Sequence, residues 1–103
     1  MKEVKALIQP FKREAVIEAL REIEGLPGVV CSDCHAHSVT VGNWAEEPKV
    51  KLELMVSDSL VEQVVVAIQR AAHTGNPGDG RIHVLPIEDS VLIRTGEHTS
   101  ESR

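Results

Sequence analysis

The stretch Val50-Lys51-Leu52-Glu53-Leu54-Met55-Val56 decides the fold of this 103-residue chain. Branched apolar side chains stand at its even positions, and Lys51 and Glu53 stand between them. Successive side chains of a strand point to opposite faces of a sheet, so this alternation predicts a strand with one face in a hydrophobic core.

A strand and an amphipathic helix are predicted before this central strand. Residues 4–8 are rich in apolar side chains and are followed by Pro10, which is typical of a strand that leads into a loop. From Phe11 onward an apolar stripe with helical spacing predicts a helix that ends near Gly25. The stripe consists of Val16, Ala19, Leu20 and Ile23. The β-branched residues of the segment 29–41 predict a long second strand.

The central strand is followed by a second predicted helix and two short strands. Ser59 and Glu62 have the spacing of a capping box, which predicts the start of this helix. Its apolar stripe is Val61, Val64, Val65, Ile68 and Ala72. Residues 82–85 and 91–93 predict short strands beyond a glycine-rich segment.

The order β-α-β-β-α-β predicts an α+β, ferredoxin-like sandwich, in which two helices cover one face of an antiparallel sheet. The other face needs a cover as well, so we expect self-association. We expect residues 1–97 to form a single domain and residues 98–103 to form a polar C-terminal tail.

Composition excludes several classes of function. The net charge of −5 argues against nucleic-acid binding, which needs a basic face. No apolar run approaches the length of a membrane span, and no secretory signal accompanies Cys31 and Cys34. We therefore expect a cytoplasmic protein that is not embedded in a membrane and whose cysteines are thiols.

The segment Thr74-Gly75-Asn76-Pro77-Gly78-Asp79-Gly80-Arg81 is a candidate anion site. Its glycines permit backbone conformations in which successive N–H groups converge around an anion, and Arg81 would add a charged fork. A loop of three glycines also occurs as a plain turn, and the residues alone leave both interpretations open.

Three segments, 5–12, 81–89 and 92–97, closely resemble the PII signal-transduction family, and the likeness covers nearly the whole chain except residues near 37–48. The resemblance implies a homotrimer of ferredoxin-like subunits with adenine nucleotide (ATP, ADP or AMP) in clefts between neighbours. It implies a regulatory protein rather than an enzyme. Such a protein would control a partner, for example a membrane transporter, in response to a small effector such as bicarbonate.

The resemblance also assigns residues to the implied nucleotide site. Gly78, Asp79, Gly80 and Arg81 match the phosphate-contacting loop, and Arg94 matches the second of two arginines on the last strand. Further positions match the lining of the cleft: Leu7, Gly28, Val30, Ser32, Glu53 and Met55.

The chain departs from the family pattern at two places. Leu92 replaces the first of the two arginines, and loss of a bidentate cation predicts a reduced preference for ATP over ADP or AMP. The loop between the second and third strands is shortened and contains no tyrosine for uridylylation. Trp44 lies in this short link, where it is either an interface residue or packing material.

The segment 31–37 supports an alternative, a CutA-like or metal-efflux-linked trimer that binds Zn or Cu. His35 and His37 alternate on the predicted strand and could chelate an ion with Cys31 or with a neighbouring subunit. The competing interpretation is that the histidines are solvated and that Cys34 packs as a small hydrophobe.

Overall fold

A computed structural model describes residues 1–99, which form a four-stranded sheet and two α-helices. The strands are β1 (Lys2–Ile8), β2 (Val30–His37), β3 (Glu46–Val56) and β4 (Arg81–Pro86). The helices are α1 (Arg13–Arg21) and α2 (Val61–Ala72), and each is preceded by a 3₁₀ turn, Pro10–Lys12 and Asp58–Leu60 respectively.

The sheet is antiparallel throughout, with strand order β2-β3-β1-β4. β1 lies at its centre, where Val4 pairs with Leu54 of β3 on one side and with Val84 of β4 on the other. This order follows from two β-α-β halves that interleave, and it confirms the predicted ferredoxin-like α+β fold.

The hydrophobic core lies between the two helices and one face of the sheet. The apolar positions of the segment 50–56 are buried in it, as its alternation predicts. Further buried core residues come from β1 and from the predicted helical stripes: Val4, Ala6, Ile8, Val16, Leu20, Val64, Ile68 and Ala72. The opposite face carries charged side chains, and Lys5 Nζ lies 3.9 Å from a carboxylate oxygen of both Glu3 and Glu53.

The second strand is shorter than predicted, because it ends at His37 and not near residue 41. Residues 38–45 instead form a compact connection in which the Ser38 N–H donates to Ala45 O at 2.9 Å. Gly42, with φ +83°, lies in the turn that the Asn43 N–H closes on Thr40 O at 3.0 Å. Consequently Val41 is fully exposed, although its β-branched side chain favours a strand.

The predicted capping box is absent. Helix α2 begins at Val61, and the hydroxyls of Ser57 and Ser59 lie 3.3 Å apart instead of capping its first turn. The 3₁₀ turn Asp58–Leu60 precedes the helix, and the Asp58 carboxylate in it accepts a hydrogen bond of 2.7 Å from the chain's amino terminus. That bond, with a second one from Lys2, lowers the pKa of Asp58.

The predicted strand at 91–93 is also wrong. Val91 makes only an isolated bridge with His98, and residues 93–95 form the turn between them. The Leu92 N–H donates to Glu97 O at 2.9 Å, which closes this hairpin. Arg94 therefore lies in a turn and not on a last strand. Residues 100–103 of the predicted tail lie outside the described residues, and the tail stays a prediction.

Within residues 1–99, no helix combines the length and the apolar character needed to span a bilayer.

Candidate functional site

The glycine-rich loop, residues 74–81, connects α2 to β4 and lies against the end of β1. Gly75, Gly78 and Gly80 all have positive φ, between 92° and 103°. A Cβ on Gly80 would lie only 1.7 Å from the carbonyl oxygen of Leu7, so only glycine lets the loop approach β1 this closely. The close approach brings Arg81 into register with Leu7 at the edge of the sheet.

The first half of the loop is organised around the carboxylate of Asp79. The N–H of Thr74 donates to it at 2.8 Å and the N–H of Gly75 at 2.9 Å, while the Thr74 hydroxyl makes a third, short hydrogen bond. These hydrogen bonds, led by those from Thr74, lower the pKa of Asp79 to about 2. The nest predicted for an external anion thus already holds a carboxylate of the chain.

Lys49 is a residue of this site that the sequence did not reveal. Its Nζ donates to Gly78 O at 2.6 Å, and its side chain is 7% exposed. An ammonium has three N–H donors, so the bond to Gly78 leaves donors for other acceptors. It also places a positive charge beside the loop. Only the sheet register places it there, because β3 and the loop are far apart along the chain, and no local pattern signals the contact.

The loop and the end of β1 border a hollow of about 200 Å³. Of the residues predicted to bind nucleotide, it gathers four: Leu7, Asp79, Gly80 and Arg81. The remaining wall comes from the C-terminal half of α2, from His73 immediately after it, and from the β1 and β4 residues Ile8 and Ile82.

A second, separate hollow of about 320 Å³ gathers another four of the predicted residues. Gly28, Val30, Glu53 and Met55 line it, together with Glu3. The first hollow borders β1 and β4, whereas the second borders β2, β3 and the Glu3 end of β1, so the two groups lie toward opposite sides of the sheet. The outer strands β2 and β4 are three strand spacings, about 14 Å, apart.

Three predicted residues line neither hollow. Ser32 pairs with Lys51 between β2 and β3, and Gly78 lies beside Lys49. Arg94 is exposed in the C-terminal hairpin. Within one subunit, the structure therefore brings the predicted residues together in two groups and not in one site.

The predicted metal ligands do not converge. Among residues 1–99 no group of three or more His, Cys, Asp or Glu side chains is placed to hold an ion. On β2 the strand rise places His35 and His37 about 6.6 Å apart and Cys31 about 13 Å from His35. Cys31 packs against the core, whereas the two histidines are exposed and His37 lies 3.4 Å from Glu46. The prediction of one site formed by these residues is not supported within a subunit.

Comparison with known proteins identifies the family of this chain. A family model described as nitrogen regulatory protein P-II matches residues 1–97. The chain belongs to the P-II family. The nitrogen regulatory protein P-II of Azospirillum brasilense is 45% identical over 107 residues, covering 94% of this chain and 95% of the relative. That of Rhodospirillum rubrum is 43% identical over 112 residues, covering 99% of each.

Membership of the P-II family confirms the resemblance carried by residues 5–12, 81–89 and 92–97, and it confirms a regulatory protein of signal transduction rather than an enzyme. The alignment with the Rhodospirillum rubrum relative spans 112 positions, although this chain has 103 residues, so at least nine of them are gaps in this chain. Neither the comparisons nor the geometry of residues 1–99 supports the CutA-like alternative.

Proposed function

We propose that this P-II family protein is a cytoplasmic homotrimer that binds ATP, ADP or AMP in clefts between neighbouring subunits. The observation that carries the proposal is the division of the predicted residues between two separate hollows, one beside β4 and the other beside β2 and β3. A ligand pocket usually occupies about 300–1,000 Å³, and the hollow beside the loop falls short of that range. A neighbouring copy would complete this hollow if the β2 side of its sheet, which carries the second group of predicted residues, faced it.

The two groups have the chemistry for different parts of a nucleotide. Arg81, Lys49 and the backbone N–H groups of Gly78 and Gly80 offer positive charge and donors, which suit phosphates. The group beside β2 and β3 offers apolar contact for a base through Val30 and Met55. In this arrangement, the phosphates lie at the loop of one subunit, and the base and ribose contact its neighbour.

The C-terminal hairpin sets the preference among nucleotides. Arg94 is exposed there and would reach the phosphates of a bound nucleotide, while Leu92, which is half-exposed, adds no charge. With one cation fewer than the family pattern, the site discriminates weakly between ATP and the shorter nucleotides. We expect Leu92→Arg to strengthen ATP binding more than AMP binding.

Calorimetry with ATP, ADP and AMP, combined with light scattering, tests the proposal. A trimer has a mass of about 34 kDa, three times the 11.3 kDa of the chain. We expect Arg81→Ala to weaken ATP binding about tenfold or more, because a charge-assisted pair is lost. Arg70→Ala is the matched control, since Arg70 is an exposed arginine of α2 that borders neither hollow. Absence of affinity below millimolar for all three nucleotides would contradict the proposal.

The proposed output is control of a partner protein, for example a membrane transporter, through the connection 38–45. Trp44 is 91% exposed at this connection, so a change in its fluorescence would report binding of a partner there. An effector such as bicarbonate would act through the same clefts. Titration of bicarbonate and of 2-oxoglutarate into the nucleotide-bound protein tests this part, and nucleotide affinity unaffected by either would leave the nucleotide as the sole signal.

A further inference from the structure

The two halves of the glycine-rich loop have different hydrogen-bonding states. In the first half, the amides of Thr74 and Gly75 point to the carboxylate of Asp79, and the Asn76 N–H donates to the Thr74 hydroxyl at 3.1 Å. In the second half, Gly80 is held against the carbonyl of Leu7, and Arg81 begins β4. Asp79 stands at the junction between them.

We propose that Asp79 is a positioning residue, an internal anion that fills the first half of the loop and thereby directs Gly80 and Arg81 toward the ligand. This inference deepens the proposed nucleotide function and rests on it for the identity of the ligand. It replaces the role that the sequence assigned to Asp79, which was direct contact with phosphate.

Electrostatics favour this role over direct contact. A carboxylate accepts hydrogen bonds and donates none when it is ionised, so it offers nothing to a phosphate oxygen. Its charge repels a second anion, and phosphates are therefore excluded from the amides of Thr74 and Gly75. Asp79 is ionised at neutral pH, and its hydrogen bonds hold its pKa further below the ordinary value. The nucleotide is left with the amides of Gly78 and Gly80, with Arg81 and with the ammonium of Lys49.

Geometry explains how the internal anion sets the second half. The Thr74 hydroxyl both donates to Asp79 and accepts from the Asn76 N–H, so one side chain closes two turns of the loop. Residues 74–76 are held by hydrogen bonds that lead to the Asp79 carboxylate. The position of Asp79 is therefore fixed, and with it the start of the backbone segment that runs to Arg81. Preorganisation of this kind lowers the ordering cost of binding.

Removal of the carboxylate tests the inference. In Asp79→Ala we expect ATP affinity to fall about tenfold, and we expect sodium formate, a carboxylate small enough for the vacant nest, to restore most of it. Asp33→Asn is the control for loss of one negative charge, because Asp33 is exposed on β2, with its carboxylate 3.7 Å from the Arg13 guanidinium. Unchanged affinity in Asp79→Ala would overturn the inference. A gain in affinity would overturn it too, because Asp79 would then be a competitor of phosphate.

A second measurement separates this inference from the proposed function. Hydrogen exchange at the amides of Thr74 and Gly75 reports the internal anion without any nucleotide. Asp79→Ala should remove their protection and formate should return it, whereas Thr74→Val should remove only part. Protection that survives in Asp79→Ala refutes the inference whatever the protein binds. If the wild type binds no nucleotide while protection depends on Asp79, the nucleotide function fails and the internal anion stands.

Discussion

Substitution of Gly80 by alanine should be the most destabilising glycine-to-alanine change in the loop. The new Cβ would lie 1.7 Å from the carbonyl oxygen of Leu7 and 2.8 Å from its carbonyl carbon. These atoms belong to the backbone of β1, the central strand that pairs with both β3 and β4. The overlap therefore cannot be relieved by rotation of a side chain, and the loop must move away from the sheet.

Alanine variants of two other glycines separate backbone strain from steric overlap in the destabilisation of Gly80→Ala. Gly42 has φ +83°, and among residues 1–99 no atom outside its own turn lies within 4 Å of where a Cβ would stand, so its alanine variant carries backbone strain alone, about 1–2 kcal/mol. Gly28 has neither positive φ nor such a neighbour, and its alanine variant should be neutral or stabilised by up to about 1 kcal/mol. For Gly80→Ala, strain and overlap together should cost at least about 3 kcal/mol.

Urea unfolding followed by circular dichroism measures all three variants. With a urea m-value of about 1.5 kcal/mol/M, the midpoint of Gly80→Ala should fall by about 2 M. The comparison needs one protein concentration, because association of subunits adds to stability. If Gly80→Ala unfolds within about 1 kcal/mol of Gly42→Ala, the close approach of the loop to β1 is refuted.

Three further outcomes are expected. Ile68→Ala should lower the free energy of unfolding by about 2–5 kcal/mol in denaturant titrations, because Ile68 is fully buried between α2 and the sheet; exposed Val41→Ala should change it little. Lys49→Met keeps the buried stem of the side chain and removes the ammonium. Calorimetry should therefore show weaker ATP binding, while the melting temperature of the protein stays unchanged. A large fall in the melting temperature would instead show that Lys49 serves to stabilise the fold. Because Asp79 has a pKa lowered from 3.8 to about 2, its contribution to loop order is complete above pH 4 and is lost between about pH 4 and 2. The hydrogen exchange of the loop amides should accelerate across that window, and protection that is lost well above pH 4 would contradict this prediction.

Most of the fold could be predicted because the residues whose apolar spacing predicts strands and helices are also the residues that the structure buries. The alternation of the segment 50–56 and the stripes of both helices each place one apolar face toward a single core. The ends of elements were harder, since they depend on contacts made elsewhere. Asp58 pairs with the amino terminus, and this contact, invisible in the local sequence, accompanies the 3₁₀ turn that displaces the expected cap at Ser59.

The candidate site was predictable as a set of residues but not as a geometry. Family resemblance identified Arg81 and Glu53, yet only the sheet order shows that Arg81 lies on the outer strand β4 and Glu53 on β3, two strand spacings away. The loop's glycines indicated an anion nest, but composition does not tell whether the anion is a ligand or Asp79. Lys49 was missed because its position beside Gly78 depends on tertiary structure.

The separation of Arg81 from Glu53 has a genetic consequence. If each cleft takes its phosphate side from one chain and its base side from another, two defective alleles can rescue each other. Mixed trimers of Arg81→Ala and Glu53→Ala chains would contain some clefts built entirely from intact halves. Co-expression would then restore part of the binding that each allele alone has lost, which is intragenic complementation. A site contained within one subunit could not behave in this way.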